Sequence, residues 1–219
     1  MQEGQVRPEE YIYKLLKSKI IKKELFPNCQ IVEAQLSEET GISRTPIRAA
    51  LKRLNYEGMV TIIRNRGAFV SNPTLDEIKA VYECKKLLES AAIRLACVNI
   101  THEELNELEE LLQKEIETHA HKDLYQFIEI NDKFHMIIAK ASKNICYEKF
   151  ITELMAKSNV YLLFYDNFVF TATDESEALK EHTRILNSLK ARNIDDCIAA
   201  IERHNQITLD QLSLNGIIR

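Results

Sequence analysis

The stretch TGISRTPIRAALKRL, residues 40–54, decides the fold of the N-terminal part of the chain. Gly41 suits the left-handed position that ends a helix. A second helix is predicted to begin near Ser43 or Arg44, because Pro46 then falls in the first turn, where proline is tolerated. Apolar residues recur at helical spacing and predict the buried side of this helix at Ile47, Ala50, Leu51 and Leu54.

The flanking sequence adds helices on one side and strands on the other. Helices are predicted over 8–24 and 33–40, before the tight turn. Two β-rich runs over 59–63 and 68–71, joined by the turn 64–67, predict a β-hairpin. Two helices joined by a tight turn and followed by a hairpin form a winged helix-turn-helix, in which the second helix enters the major groove of DNA.

Polar and basic residues lie on the two elements that this fold presents to DNA. Arg44 and Arg48 are four residues apart, so they share a helix face and can reach guanine edges or phosphates together. Hydroxyl groups in the same turn can donate to phosphates, and arginines at the hairpin tip can enter the minor groove. The predicted DNA-binding residues are Ser43, Arg44, Thr45, Arg48, Arg64, Arg66 and Gly67.

From Thr74 onward the pattern is helical, and strands are predicted only before this point. The segments 74–77 and 101–104 both match the capping box, which marks a helix start. We predict an antiparallel six-helix bundle, because the connections between the amphipathic segments are short. The predicted helices are 74–98, 101–119, 122–141, 145–169, 174–192 and 194–214. The chain is therefore mainly α, with a DNA-binding domain over 1–72 and an all-helical domain over 73–219.

Charge and cysteine content narrow the class of protein. Residues 1–72 hold 12 basic and 8 acidic residues, whereas 73–219 hold 17 basic and 25 acidic residues, so only the first part favours a polyanionic partner. Five scattered cysteines without a C-x-x-C pair favour reduced thiols over a disulfide framework. Apolar runs are too short for a membrane span, and the charged start does not resemble a secretory signal. We therefore expect a cytoplasmic protein with no membrane partner.

Three histidines fall in helix interiors: His135, His182 and His204. Helical bundles form metal sites from side chains on facing helices, and imidazole is a common ligand of transition metals. The other three histidines, His102, His119 and His121, lie at helix ends or junctions, and we expect them at the surface.

The motifs closely resemble those of the GntR family of bacterial regulators. Residues 40–54, the Glu57-Gly58-Met59-Val60 turn and the Arg66-Gly67-Ala68 wing match its signature, with Ala49 where the family usually has Glu. Residues 74–214 resemble the FCD effector domain of the FadR subfamily, with Asn131-Asp-Lys-Phe-His135, Glu181-His182 and His204 in order.

This resemblance implies a homodimer on a pseudo-palindromic double-stranded DNA operator. It also implies a divalent metal, with Zn, Ni or Mn expected, and a small carboxylate effector. The implied ligands are Asn131, His135, His182 and His204, with Asp132 as an alternative oxygen ligand. Lys85 stands where the family usually has an effector-binding Arg, so we expect it to bind the effector.

The expected function is therefore that of a ligand-responsive transcriptional regulator, a repressor rather than an enzyme. One alternative is a metal-dependent enzyme in a helical bundle, although no H-E-x-x-H or E-x-x-H motif is present. The other alternative is an acyl-CoA-type sensor without metal, but that branch lacks this set of histidines.

Overall fold

The computed structural model describes residues 7–165 and 168–217. The described residues form helices and one small sheet, and the chain divides into two compact units, residues 1–73 (unit 1) and 74–219 (unit 2). The predicted fold class, a winged helix-turn-helix followed by a six-helix bundle, is confirmed.

Unit 1 contains three helices and a three-stranded antiparallel sheet of order β1-β3-β2. The helices are α1 (Pro8–Ile21), α2 (Glu33–Thr40) and α3 (Arg44–Tyr56), and the strands are β1 (Gln30–Ile31), β2 (Val60–Ile63) and β3 (Gly67–Val70). Strand β1 was not predicted: it is two residues long, and it pairs Gln30 with Phe69 and Ile31 with Ala68. A strand of two residues is too short to show an alternating pattern in the sequence. It can be recognised only from its pairing with β3.

Helix α1 ends at Ile21, three residues earlier than predicted. Lys23 has a positive φ of 56°, so the chain leaves the helix there without a glycine to mark the end. Gly41 follows α2 in the predicted left-handed conformation, with φ 69°.

Helix α3 is held against α1 by both apolar and polar contacts. Its apolar side is buried at the four predicted positions, Ile47, Ala50, Leu51 and Leu54. At its C-terminal end, the guanidinium of Arg53 lies 3.5 Å from the centre of the Tyr13 ring and its Nη1 donates to Glu10 Oε2 at 2.7 Å. Tyr13 also donates to Glu57 at 2.9 Å. These contacts fix how α3 presents its N-terminal end.

Unit 2 consists of six long helices: α4 (Leu75–Asn99), α5 (His102–His121), α6 (Leu124–Ala141), α7 (Ile145–Tyr165), α8 (Glu177–Lys190) and α9 (Ile194–Ile217). Both predicted capping boxes are present, at Thr74–Glu77 and Thr101–Glu104. The core is built from apolar faces of α4, α5, α6, α8 and α9, and it includes Ile93, Leu108, Phe134, Ile185 and Ile201.

The connection between α7 and α8 differs from the prediction. Helix α7 was expected to reach residue 169, and residues 166–167 of that prediction lie outside the described part of the chain. Short 3₁₀ turns occupy Phe168–Phe170 and Thr173–Glu175. Helix α8 then begins at Glu177 rather than 174, because the Ser176 side chain accepts from the Leu179 amide and caps the helix.

None of the helices in the described part of the chain is both long and apolar enough to cross a membrane.

Candidate functional site

The N-terminal end of α3 presents polar side chains to solvent. Ser43, Arg44, Thr45 and Arg48 are all exposed. Ser43 precedes the helix with extended backbone, and its side chain makes no capping hydrogen bond. The amides of the first helical turn therefore point outwards beside two guanidinium groups, which is the arrangement that helix N-termini use to bind phosphate.

Arg48 is partly engaged within unit 1. Its Nε donates to Glu33 Oε2 at 2.8 Å, which links α3 to the start of α2. Both side chains are partly exposed, so the pair is of the kind that contributes about 0–1 kcal/mol. A phosphate or a guanine edge can therefore compete with Glu33 for this guanidinium.

The hairpin tip is exposed from Arg64 to Gly67. Asn65 and Gly67 both have positive φ, 61° and 97°, which turns the chain sharply between β2 and β3. Gln30 was not predicted to take part, but its Nε2 donates to the Arg66 carbonyl at 2.9 Å. Strand β1 thus fixes the tip, while the side chains of Arg64 and Arg66 stay in solvent.

The three interior histidines of unit 2 come together. His135 on α6, His182 on α8 and His204 on α9 are all buried, with ring centroids 4.7–5.5 Å apart. One ring nitrogen from each lies within 4.8 Å of the others. Among the described residues, this is the group of histidine, cysteine and carboxylate side chains that could share a metal ion.

Buried carboxylates contact the opposite side of two of these rings. His182 Nδ1 lies 2.8 Å from Glu115 Oε2 on α5, and His135 Nδ1 lies 2.8 Å from Glu89 Oε1 on α4. A carboxylate that accepts a hydrogen bond from Nδ1–H keeps the proton on Nδ1, which leaves the lone pair on Nε2. Those two Nε2 atoms are buried and have no hydrogen-bond partner, and the same holds for Nδ1 of His204.

Burial disfavours the charged form of two of the three rings, His135 and His204. Burial lowers the pKa of His135 to about 4 and that of His204 well below its usual value. Burial alone would raise the pKa of Glu89, but the nearby Lys85 charge and the contacts from His135 and Asn205 outweigh it and bring the pKa to about 2. Neutral His135 and His204 rings therefore lie beside the ionised carboxylate of Glu89.

This donor set fits a divalent cation. Unpartnered buried ring nitrogens are costly unless something binds them. A metal-bound histidine commonly donates a hydrogen bond from its other ring nitrogen to a carboxylate. His182 would do so through Nδ1, which lies 2.8 Å from Glu115 Oε2.

The other predicted ligands lie next to the histidines. Asn131 is buried on α6, one turn before His135, and it lines a partly open cavity together with His204 and Lys85. Lys85 is itself buried, with Nζ 3.5 Å from Glu89 Oε1. Asp132 points elsewhere, since its Oδ2 accepts from Asn159 on α7 at 2.7 Å. Of the two candidate oxygen ligands, the geometry favours Asn131.

Both parts of the chain match known protein families. Residues 8–70 match the bacterial regulatory proteins of the gntR family, and residues 80–206 match the FCD domain.

The chain belongs to the GntR family.

Relatives cover nearly the whole length of this GntR-family chain. It is 31% identical to the HTH-type transcriptional regulator McbR of Escherichia coli K12, over 85% of this chain and 86% of McbR. It is 28% identical to the Nta operon transcriptional regulator of Aminobacter aminovorans, over 85% of each chain. The solved structure of E. coli McbR/YncC superposes with a TM-score of 0.74 at 23% identity, covering 96% of this chain and 99% of that one. The chain is therefore a transcriptional regulator, and its families and relatives are regulators rather than enzymes.

One histidine was placed wrongly. His119 was expected at the surface, but it is buried. It forms a hydrogen bond of 3.0 Å with Ser176 Oγ and packs against the rings of Phe127 and Phe168. The phenylalanines come from other segments, so the position of His119 at the end of α5 did not reveal its burial. His102 and His121 are exposed, as predicted.

The two carboxylates that contact Nδ1 atoms of the histidines were also not predicted from the sequence. Glu89 and Glu115 are 3% and 0% exposed, although acidic residues are rarely fully buried without a partner. A usable signal existed for Glu115, which follows Leu108, Leu111 and Leu112 on the apolar face of α5.

Proposed function

We propose that this GntR-family regulator is a repressor that senses a small organic acid through a divalent metal held in unit 2, with Zn, Ni or Mn as the expected ions. One observation carries the proposal: three buried histidines on three helices have ring nitrogens within 4.8 Å of one another, and each ring has a nitrogen without a hydrogen-bond partner. Structural histidines are usually hydrogen-bonded on both sides or exposed, so three such rings together favour ligation.

The metal would be held by His135, His182 and His204, with the amide oxygen of Asn131 as a fourth, weaker ligand. Three imidazole nitrogens and an amide oxygen would bring no negative charge to the ion. The carboxylates of Glu89 and Glu115 contact Nδ1 of His135 and His182 and would place acidic groups on the other side of these two rings. When bound, the ion would supply a Lewis-acidic position that accepts a carboxylate oxygen.

The cavity beside the histidines has the groups needed to bind an organic acid. Lys85 offers the cationic group that suits a carboxylate. Hydroxyl and amide groups add hydrogen-bonding capacity, and apolar side chains line the rest. The lining residues are Tyr82, Lys85, Phe127, Asn131, Ser158, Leu162, Ala178, His204, Thr208 and Gln211.

Unit 1 would place α3 in the major groove and the hairpin tip in the adjacent minor groove of double-stranded DNA. In a homodimer, two such helices match the half-sites of a pseudo-palindromic operator. Because the operator is on the chromosome, the protein would act in the cytoplasm. The acid can regulate only if it binds the DNA-competent and incompetent arrangements with different affinity.

The rival function, metal-dependent catalysis, has less support. A hydrolytic metal site needs a general base near the reacting water. In the described residues, both carboxylates nearest the histidines already contact Nδ1 atoms on the far side of the rings.

The metal proposal is tested by elemental analysis of the purified chain and by thermal shift on adding Zn²⁺, Ni²⁺ or Mn²⁺ to metal-free protein. We expect one ion per chain and a higher melting temperature, because a ligand that binds only the folded state stabilises it. His204→Ala should remove both effects, whereas His121→Ala, at an exposed position, should retain them. No metal and no thermal shift in the native chain would refute the proposal.

The effector proposal is tested by a thermal-shift screen of mono-, di- and tricarboxylates on the metal-loaded chain. A stabilising acid should lose most of its effect in Lys85→Met, with circular dichroism used to confirm that this variant is folded. Equal stabilisation of the folded variant and the native chain would show that Lys85 does not bind the acid.

A further inference from the structure

Glu115 lies between two histidines that belong to different helices. Its Oε2 is 2.8 Å from Nδ1 of His182 on α8, and its Oε1 is 4.0 Å from Nε2 of His119, one turn further along α5. Glu115 and His182 are fully buried, and His119 is 2% exposed. The carboxylate that contacts His182 is therefore enclosed on its other side by a histidine that is not among the proposed metal ligands.

The ring of His119 directs an N–H towards this carboxylate. Burial lowers the pKa of His119, so the ring is neutral at neutral pH and holds one proton. Nε2 lies 3.0 Å from Ser176 Oγ and close to Glu115, whereas Nδ1 is buried with no hydrogen-bond partner among the described residues. A proton that faces acceptor oxygens is favoured over one buried without an acceptor. Nε2–H therefore donates to Ser176, with its positive end close to Glu115 Oε1.

Ser176 connects this ring to the helix that carries His182. It caps α8, because its Oγ accepts from the Leu179 amide at 3.2 Å. Helices α5 and α8 are thus joined by two buried polar contacts, Ser176 with His119 and His182 with Glu115. Both contacts end on one face of α5, one turn apart, so together they fix the position of α8 along α5. We call these four residues the α5–α8 clasp.

We propose that His119 is a positioning residue for the metal site: through Ser176 and Glu115 it holds α8 and the carboxylate so that His182 keeps Nε2 available to the ion. The inference rests on the metal site of the proposed function. It adds a residue that does not ligate the ion and is assigned no other role.

Two substitutions of His119 separate the hydrogen bond from the packing. His119→Phe keeps an aromatic ring against Phe127 and Phe168 but loses both nitrogens. His119→Gln loses the ring but keeps an amide N–H that can reach Ser176. Titration calorimetry on metal-free protein should show that Zn²⁺ affinity falls ~10-fold in His119→Phe, the lower end of the range for groups behind a ligand.

The glutamine variant should lose clearly less Zn²⁺ affinity than the phenylalanine variant, because it retains the hydrogen bond. Native affinity in the folded His119→Phe chain would overturn the proposal. A larger loss in His119→Gln than in His119→Phe would assign the effect to packing and would overturn it as well.

Two further variants make the test independent of how His119→Phe folds. Ser176→Ala removes the same contact from the other helix and should also lower Zn²⁺ affinity. Unchanged affinity in Ser176→Ala would contradict the connection through α8. His121→Phe is the matched control, because His121 is exposed on the same helix as His119, and it should keep the native affinity.

Hydrogen exchange distinguishes positioning from a purely structural role. Coupling is reciprocal, so an ion that depends on the clasp must also strengthen it. Zn²⁺ should slow exchange of the Leu179 amide, which donates to Ser176, in the native chain and in His121→Phe but not in His119→Phe. The first turn of a helix opens locally, so this amide reports on the clasp rather than on global unfolding. Equal slowing in the native and His119→Phe chains would overturn the inference.

Failure of the metal site and failure of this inference are measured separately. A native chain with no affinity for Zn²⁺ would remove both. Equal Zn²⁺ affinity in the native and His119→Phe chains would keep the metal site and remove only the role of His119.

Discussion

The DNA-facing end of unit 1 and the histidine cluster of unit 2 differ in where their charges lie. In unit 1 the charged groups are at the surface, on residues that follow one another along the chain, from Ser43 to Arg48 and from Arg64 to Gly67. In unit 2 the groups are buried and come from five helices, with three histidine rings at the centre and glutamate carboxylates on the far side of two of them. The first arrangement suits a large polyanion, and the second suits a small cation. Changes at one site should therefore leave the other intact.

The largest expected effect is at the histidines. His182→Ala removes a ligand and leaves Glu115 without its ring partner. Metal affinity should fall by more than the ~10–100-fold typical of changes to groups behind the ligands. Titration calorimetry with Zn²⁺ measures this, and DNA binding by the metal-free chain should stay as in the native protein. Unchanged Zn²⁺ affinity would remove His182 from the site.

The next effect concerns the carboxylate behind His182. Glu115→Gln keeps the side-chain shape but lets an amide N–H face Nδ1, which favours the ring form with its proton on Nε2. Zn²⁺ affinity should fall ~10–100-fold. Glu110→Gln is the matched control, because Glu110 is exposed on the same helix. If the metal-free chain lost stability while the Zn²⁺ affinity stayed unchanged, the role of Glu115 would be structural only.

In unit 1, Arg44→Ala should weaken binding to an operator selected from a random duplex library by ~1–3 kcal/mol and relax the sequence preference. Fluorescence anisotropy at fixed salt concentration measures both. Lys52→Ala, an exposed basic residue further along α3, controls for the loss of one positive charge. Equal losses in the two variants would mean that Arg44 contributes charge alone. Zn²⁺ affinity should stay constant in both variants.

The smallest effect tests the Arg48–Glu33 pair. Glu33→Gln removes the competing carboxylate, so Arg48 becomes fully available to DNA. Operator affinity should rise by up to about 1 kcal/mol, the range for exposed ion pairs. The same anisotropy assay measures it, and the gain should vanish in the Arg48→Ala background. A gain that persists there would come from the loss of negative charge near DNA rather than from Arg48.

The two sites also differ in how far the sequence predicts them. The predicted DNA-binding residues are local in sequence, so helix periodicity and turn residues such as Gly41 and Gly67 are sufficient to predict the elements that carry them. The sequence places each of the three histidines in the interior of a helix. Their proximity depends on how α6, α8 and α9 pack against one another. Periodicity could place Glu115 on the apolar face of α5, but it could not identify the ring that Glu115 or Glu89 contacts, because those rings lie on α8 and α6.

Local and non-local structure differ in the same way elsewhere. The capping boxes at Thr74 and Thr101 were predicted correctly, since both partners lie within one helical turn. Strand β1 and the burial of His119 depend on distant segments, the hairpin in one case and Phe127 and Phe168 in the other. The end of α1 at Ile21 is not marked by a glycine, because the residue with positive φ that follows it is Lys23.

The most direct test of the metal centre is an anomalous difference map from a crystal of the Zn²⁺-loaded chain. The account predicts one peak per chain in unit 2, at ~2.0–2.1 Å from a ring nitrogen of each of His135, His182 and His204. Glu115 should still contact His182 Nδ1. A map with no peak among these three rings, or with zinc bound only at exposed histidines such as His102 or His121, would contradict it.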